Sequence, residues 1–152
     1  MAKHALLSAS SSHRWLNCTP SARLEENLPN KESTYAAEGT KAHSLGEIKI
    51  KHFLLGSIDK EEYERLRSVL DDIPADMEDA TDEYLRFVTE EFEAAKTETG
   101  SAVLFLEQRV DYSHIAPDGF GTSDCVIIND TTLHVIDYKH GKGVYVSAVG
   151  NP

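Results

Sequence analysis

The sequence predicts a single α/β domain over residues 1–152, with residues 1–100 mostly helical and the core sheet in residues 101–152. Three observations carry that expectation. Apolar residues recur at helical spacing through the first two-thirds of the chain, as in Tyr84, Phe87, Val88, Phe92 and Ala95, which share one helix stripe. From Ala102 onward the apolar residues come in short runs divided by polar turn clusters, the pattern of strands. Helices first and strands later suggests helices packed on a sheet of modest size.

Each element follows from local chemistry. Ser10-Ser11-Ser12 can cap a helix over residues 13–26, which Leu28-Pro29-Asn30 breaks, leaving residues 29–35 as a polar loop. A second helix is expected from residue 35 or 36 to residue 55, ended by Gly56. Its Ala42, Leu45, Ile48, Ile50, Phe53 and Leu54 are spaced for a helix and not for a strand. Asp59 caps a third helix over residues 60–72, stopped by Ile73-Pro74. A fourth spans residues 77–96 and ends near Gly100. Strands are expected over residues 102–111, 121–128, 133–138 and 144–146. There is no internal repeat and no low-complexity tract.

Composition narrows the function classes. A chain of 152 residues with 40% apolar content can bury a core. No run of about 20 apolar residues is present, so no transmembrane helix is expected. The opening Met1-Ala2-Lys3-His4-Ala5-Leu6-Leu7 is too short and too quickly polar for a signal peptide. The two cysteines, Cys18 and Cys125, make no disulfide framework, and a cytoplasmic location is expected. The net charge of −11 argues against a simple DNA-binding surface, because phosphate contacts need Lys and Arg. Much of that acidity falls in residues 59–98, which read as a solvated helical face. Basic residues gather elsewhere: Lys41, Lys49, Lys51 and His52 on the second helix, and Lys139, His140 and Lys142 after the last long strand.

The densest chemistry lies in Gly121-Thr122-Ser123-Asp124 and Val135-Ile136-Asp137-Tyr138-Lys139. Asn129-Asp130-Thr131-Thr132 is a turn cluster between apolar runs, so the segment should be a β-hairpin. Its register sets Ile128 against Leu133, Val126 against Val135 and Asp124 against Asp137. Directly opposed residues have Cβ atoms about 4.5–5.5 Å apart, and like charges there destabilise a sheet. A divalent cation would turn that cost into a site. Lys139 shares the face of Asp137. With Val126, Ile128, Leu133 and Val135 on one face and Cys125, Ile127 and Ile136 on the other, the hairpin looks buried on both sides. Buried carboxylates need a partner or a metal.

These residues resemble a known superfamily. Asp124, followed thirteen positions later by Asp137-Tyr138-Lys139 at the end of an apolar strand, looks like the PD-(D/E)XK nuclease signature in its RecB-like exonuclease branch. The run Gly119-Phe120-Gly121-Thr122-Ser123-Asp124 through His134 to Gly143 looks very like an uncharacterised phage and prophage family of RecB-like proteins. Glu38-Gly39-Thr40-Lys41-Ala42-His43 resembles the helix-borne Gly-Thr-x-x-His element of that branch. Leu7-Ser8-Ala9-Ser10 through Trp15-Leu16-Asn17-Cys18 echoes its opening turn and helix. The Asp-x-Lys core alone is weak; the three motifs in order are fairly specific.

The resemblance implies a restriction-endonuclease-like core, a mixed sheet flanked by helices, with an N-terminal helical region. It implies a Mg²⁺- or Mn²⁺-dependent deoxyribonuclease, an exonuclease acting at ends or on single strands, in phage replication or recombination. Asp124, Asp137 and His43 would hold the metal, the Tyr138 carbonyl could add a ligand, and Glu107 would assist. Lys139 would hold the attacking water or neutralise charge on the phosphate. Other uses stay open: a local pair of His43 with Glu47, a salt bridge of Glu107 with Arg109 or Lys139, and a snorkelling Lys139. Some relatives hold an iron–sulfur cluster on four cysteines; with two here, no cluster is expected. The partners the resemblance implies are DNA, phage recombination or replication proteins, and a second copy of the chain; ring-shaped trimers occur among relatives, but nothing in this sequence reads as a trimer interface. Relatives continue beyond this point into a helix carrying Gln-x-x-x-Tyr, so a C-terminally shortened domain is expected. A catalytically inactive DNA- or protein-binding module of a phage complex is the alternative, and RNA is the alternative substrate.

Overall fold

The computed structural model describes residues 5–26, 28 and 34–141. These form helices and a three-stranded antiparallel sheet in the order β1-β2-β3. The described chain divides into two compact units, one holding residues 5–26, 28 and 108–123 and the other residues 34–107 and 124–141.

In the first unit a short 3-10 turn leads into α1 (Ser12–Asn17), followed by α2 (Ser21–Glu25). One continuous helix over residues 13–26 was expected. Cys18-Thr19-Pro20 splits it, because Pro20 has no N–H for a continuing helix. The Trp15 indole donates to the Ser8 carbonyl at 2.9 Å. The Tyr112 hydroxyl donates to the Leu7 and Phe120 carbonyls, and Arg109 lies over the Phe120 ring at 3.7 Å.

The second unit is built on α3 (Thr34–Lys49), which continues as a π-helical segment over Ile50–Leu54. Gly56 follows in the left-handed region, near the expected end. Asp59 caps α4 (Lys60–Ser68) by accepting the Glu62 amide at 2.8 Å. α4 ends four residues before the expected Asp72, which itself has a positive φ. α5 (Ala75–Thr99) begins right after Pro74 and ends at left-handed Gly100. Ala42, Leu45 and Ile48 of α3 pack with Tyr63 and Met77. The wider π turn then carries Ile50 and Leu54 to a second cluster with Tyr84, Val88, Cys125 and Ile127. So α3 packs against both α4 and α5.

The strands are β1 (Val103–Asp111), β2 (Phe120–Ile128) and β3 (Leu133–Ile136). The hairpin register is the expected one, with Val126 opposite Val135 and Ile128 opposite Leu133. Asn129 closes it: its amide donates to the Thr132 carbonyl, and its side-chain oxygen accepts the Thr131 and Thr132 amides. Two expectations change. The connections between described strands are short, and a parallel pair needs a long crossover; the described sheet is therefore antiparallel, not mixed. Nor is the hairpin buried on both sides. Cys125, Ile127, Leu104 and Leu106 pack on the helices, whereas Val103, Phe105, Ile128, Leu133 and Val135 on the opposite face are exposed. Val126, on that opposite face, is nonetheless buried. The expected strand over residues 144–146 and Lys142 lie outside the described residues. No helix among the described residues is long and apolar enough to cross a membrane.

Candidate metal centre

Three side chains from three elements converge in the second unit. His43 comes from α3, Glu107 from the middle of β1 and Asp124 from β2. A ligand atom of each lies within 4.8 Å of the others. His43 Nδ1 is 3.4 Å from Asp124 Oδ1, and the Tyr138 amide donates to Asp124 Oδ2 at 2.7 Å. Glu107 is the exposed member, and its φ of 47° is in the left-handed region, unusual for a residue with a Cβ. Beside the cluster a cleft of about 420 Å³ runs along α3, lined by the small residues Ala36, Gly39, Thr40 and Ser44 together with His43, Glu47 and Glu107.

Packing fixes the histidine. Gly46 of α3 has no Cβ where the Tyr84 ring lies; a methyl there would sit 2.9 Å from Tyr84 Cδ1. Tyr84 stacks on Tyr138 with centroids 4.5 Å apart, and Tyr138 meets the His43 ring edge-on at 5.5 Å. One close helix contact thus seats the Tyr84 ring, on which the Tyr138 ring that meets the imidazole is stacked.

The electrostatics describe three groups that share a charge problem. The hydrogen bond to Asp124 raises the His43 pKa above its ordinary value, against the effect of burial. Burial by itself would raise the Asp124 pKa, but the His43 and Tyr138 hydrogen bonds and the nearby charges of His43 and Lys139 outweigh it and hold it low. Glu107 goes the other way. Desolvation, then repulsion from Asp124 and Glu47, raise its pKa. A divalent cation would relieve that repulsion.

Not every expected site residue joins the cluster. Ladder pairing stops at Cys125 opposite Ile136, one position short of Asp124 and Asp137. Asp124 instead takes the Tyr138 amide, and Asp137, with a side chain 63% exposed, pairs with Lys139 at 2.8 Å. Lys139 is likewise exposed. Glu107, expected to assist, lies among the ligand atoms; neither foreseen salt-bridge partner takes it, since Arg109 covers Phe120 and Lys139 holds Asp137. Nor does His43 pair with Glu47, which binds Lys51. The basic flank expected on α3 is consumed: Lys41 donates to the Asp71 carbonyl, Lys49 is buried against Glu78, Thr81 and Asp82, and His52 stacks on Tyr63. His140, read from the sequence as part of a basic flank, is almost wholly buried beside Glu38, and the Gly46–Tyr84 contact was not foreseen. The Gly inside an apolar helix pattern was the available signal for that contact.

A family model described as a protein of unknown function, DUF2800, matches residues 4–152. The chain belongs to the DUF2800 family. No solved structure matches it. The DUF2800 match takes in His43, Glu107, Asp124, Asp137 and Lys139 alike.

Proposed function

We propose that the protein is a Mg²⁺- or Mn²⁺-dependent nuclease of the RecB-like type, hydrolysing DNA phosphodiesters at ends or on single strands. The observation that carries this reading is the convergence of His43, Glu107 and Asp124 within 4.8 Å from a helix and two strands. The donor set fits the group. Carboxylate oxygens suit Mg²⁺ and Mn²⁺, and one imidazole tilts the preference toward Mn²⁺. A divalent cation bound there supplies positive charge to a phosphate and lowers the pKa of a water.

The chain's own residues do the rest. His43 and Asp124 hold each other in position, with the Tyr138 amide as a third anchor. Asp137, one register position beyond the last ladder pair, is the further donor we assign once it leaves Lys139. Lys139, then unpaired, neutralises charge on the phosphate. The small-residue cleft along α3 leaves room for a strand to approach. A second reading, an inactive binding module, is favoured by one observation: Lys139 and Asp137 are paired with each other and both are largely exposed.

The test is hydrolysis of end-labelled single-stranded and duplex DNA with Mn²⁺ by wild type, Asp124→Asn and Asp137→Ala. Wild-type cleavage that is lost in both variants, with melting temperatures unchanged, is the expected result. Cleavage that survives Asp124→Asn would sink the assignment, and Mn²⁺-independent DNA binding without cleavage would favour the module.

A further inference from the structure

We propose that His140 and Glu38 form a positioning pair that fixes the backbone of Lys139 beside the His43–Glu107–Asp124 cluster. The proposal rests on the nuclease reading above. β3 ends at Ile136, so residues 137–140 have no ladder to hold them. They are fastened all the same, at two alternate positions. The Tyr138 amide donates to Asp124 Oδ2 at 2.7 Å. Two residues on, the His140 side chain is only 7% exposed, with Nε2 3.8 Å from Glu38 Oε1 and Nδ1 3.4 Å from the Tyr138 hydroxyl. Between these pins, Lys139 and its partner Asp137 are 72% and 63% exposed.

That contrast needs a cause. An imidazole is half polar and gains little by being buried in a surface turn unless its nitrogens are met there. The Tyr138 hydroxyl lies within hydrogen-bond distance of one nitrogen and the Glu38 carboxylate within ion-pair distance of the other. Glu38 belongs to α3, five residues before His43, so the helix that contributes the imidazole of the cluster also latches the segment that carries Lys139. Lysine is a point charge on a flexible four-carbon stem. Its partner Asp137 is nearly as exposed as the lysine itself, so their pairing does not anchor the ammonium to the packed structure. Where the ammonium can act is therefore set by where its backbone begins, and the two pins set that. A displacement of about 1 Å at a reacting centre costs about 100-fold in rate.

The test uses the full chain as wild type, Glu38→Ala, His140→Ala, the double variant, Lys139→Ala and Lys139→Ala/His140→Ala. Two quantities are read for each: the Mn²⁺-induced rise in melting temperature, and the single-turnover cleavage rate and KM for an end-labelled oligonucleotide. The expected result is a rate lower by about 10- to 100-fold in Glu38→Ala and in His140→Ala. The double variant should be no worse than the worse single one, because the pair acts as a unit. KM and the Mn²⁺ response should stay within twofold. His140→Ala should add nothing in the Lys139→Ala background, which a merely structural role would not produce. If His140→Ala does not fold, Glu38→Ala, whose side chain is 42% exposed, carries the same comparison. An additive loss in the Lys139→Ala background, an unchanged rate in Glu38→Ala, or loss of the Mn²⁺ response would overturn the pair while the nuclease reading stands. A wild type with neither Mn²⁺ response nor cleavage would overturn the nuclease reading and the pair with it.

Discussion

Glu107 is where stability and the proposed function pull against each other. It sits in the middle of β1 at φ 47°, a conformation that costs a residue with a Cβ about 1–2 kcal/mol. Its carboxylate is also pushed by Asp124 and Glu47. Asparagine tolerates the left-handed region better and carries no charge. Glu107→Asn should therefore stabilise the metal-free protein by about 1 kcal/mol, or about 2–4 °C in melting temperature for a chain of this size. The same change removes one of the three donors. Wild type in Mn²⁺ at a hundredfold excess over Kd should gain about 2.7 kcal/mol. If the substitution weakens affinity a hundredfold, the gain falls to about 0.4 kcal/mol at the same Mn²⁺ concentration. Four thermal melts, wild type and variant with and without Mn²⁺, decide it. A variant that melts lower than wild type without metal, yet keeps the full Mn²⁺ gain, would refute both the strain argument and the ligand assignment.

Further outcomes follow from the same geometry. Lys49 is 1% exposed and bonded to Thr81, Glu78 and Asp82. Lys49→Ala should cost about 3 kcal/mol in urea unfolding, the low end for a broken buried pair, because Glu78 keeps Arg67 and Asp82 can rehydrate. Lys49→Met, which refills the stem, should cost less than about 1.5 kcal/mol. Gly46→Ala would drive a methyl into the Tyr84 ring and should cost about 1–3 kcal/mol in the same assay, weakening the Mn²⁺ response through Tyr138. For pH, the His43 pKa is raised above 6.5 by Asp124. Its contribution to metal-free stability is complete below 6.5 and is lost as pH rises through the folded value. Mn²⁺ needs the unprotonated ring, so the Mn²⁺-induced melting rise should grow across that same window, and should lose that pH step in His43→Gln.

The hairpin was legible because two signals agree: short apolar runs on either side of a polar cluster, and a turn whose Asn129 side chain gathers the loop amides. The long helices were legible at their ends, where Asp59 and Gly100 act through local backbone chemistry. What escaped depends on partners far away in sequence. Lys49 looks like a surface lysine until Glu78 and Asp82, about thirty residues on, fold against it. Asp137 belongs opposite Asp124 by register, but the Tyr138 amide is drawn to the Asp124 side chain and the ladder ends early. The split of the first helix was different; Pro20 announced it in the sequence and was overlooked.

The charge around the cleft turns the proposed metal from a catalytic aid into a condition for capture. Glu107 and Asp124 stand at or beside the cleft with Glu47, whose charge Lys51 offsets, and among the described residues Lys41 and Lys49 of α3 are turned to the Asp71 carbonyl and to Glu78 and Asp82. Two unit charges about 4 Å apart in a protein surface environment interact by about 4 kcal/mol, so a phosphate entering a metal-free cleft meets repulsion on the scale of a whole binding energy. A divalent ion reverses the sign locally. Single-stranded oligonucleotide binding, followed by fluorescence anisotropy in Ca²⁺ to slow cleavage, should accordingly appear with the ion and vanish in a chelator. Its dependence on salt should be shallow, because few Lys or Arg contacts release counterions. Tight binding in chelator with a steep salt slope would mean that a basic surface captures the strand, and the acidic cleft would then have no part in recognition.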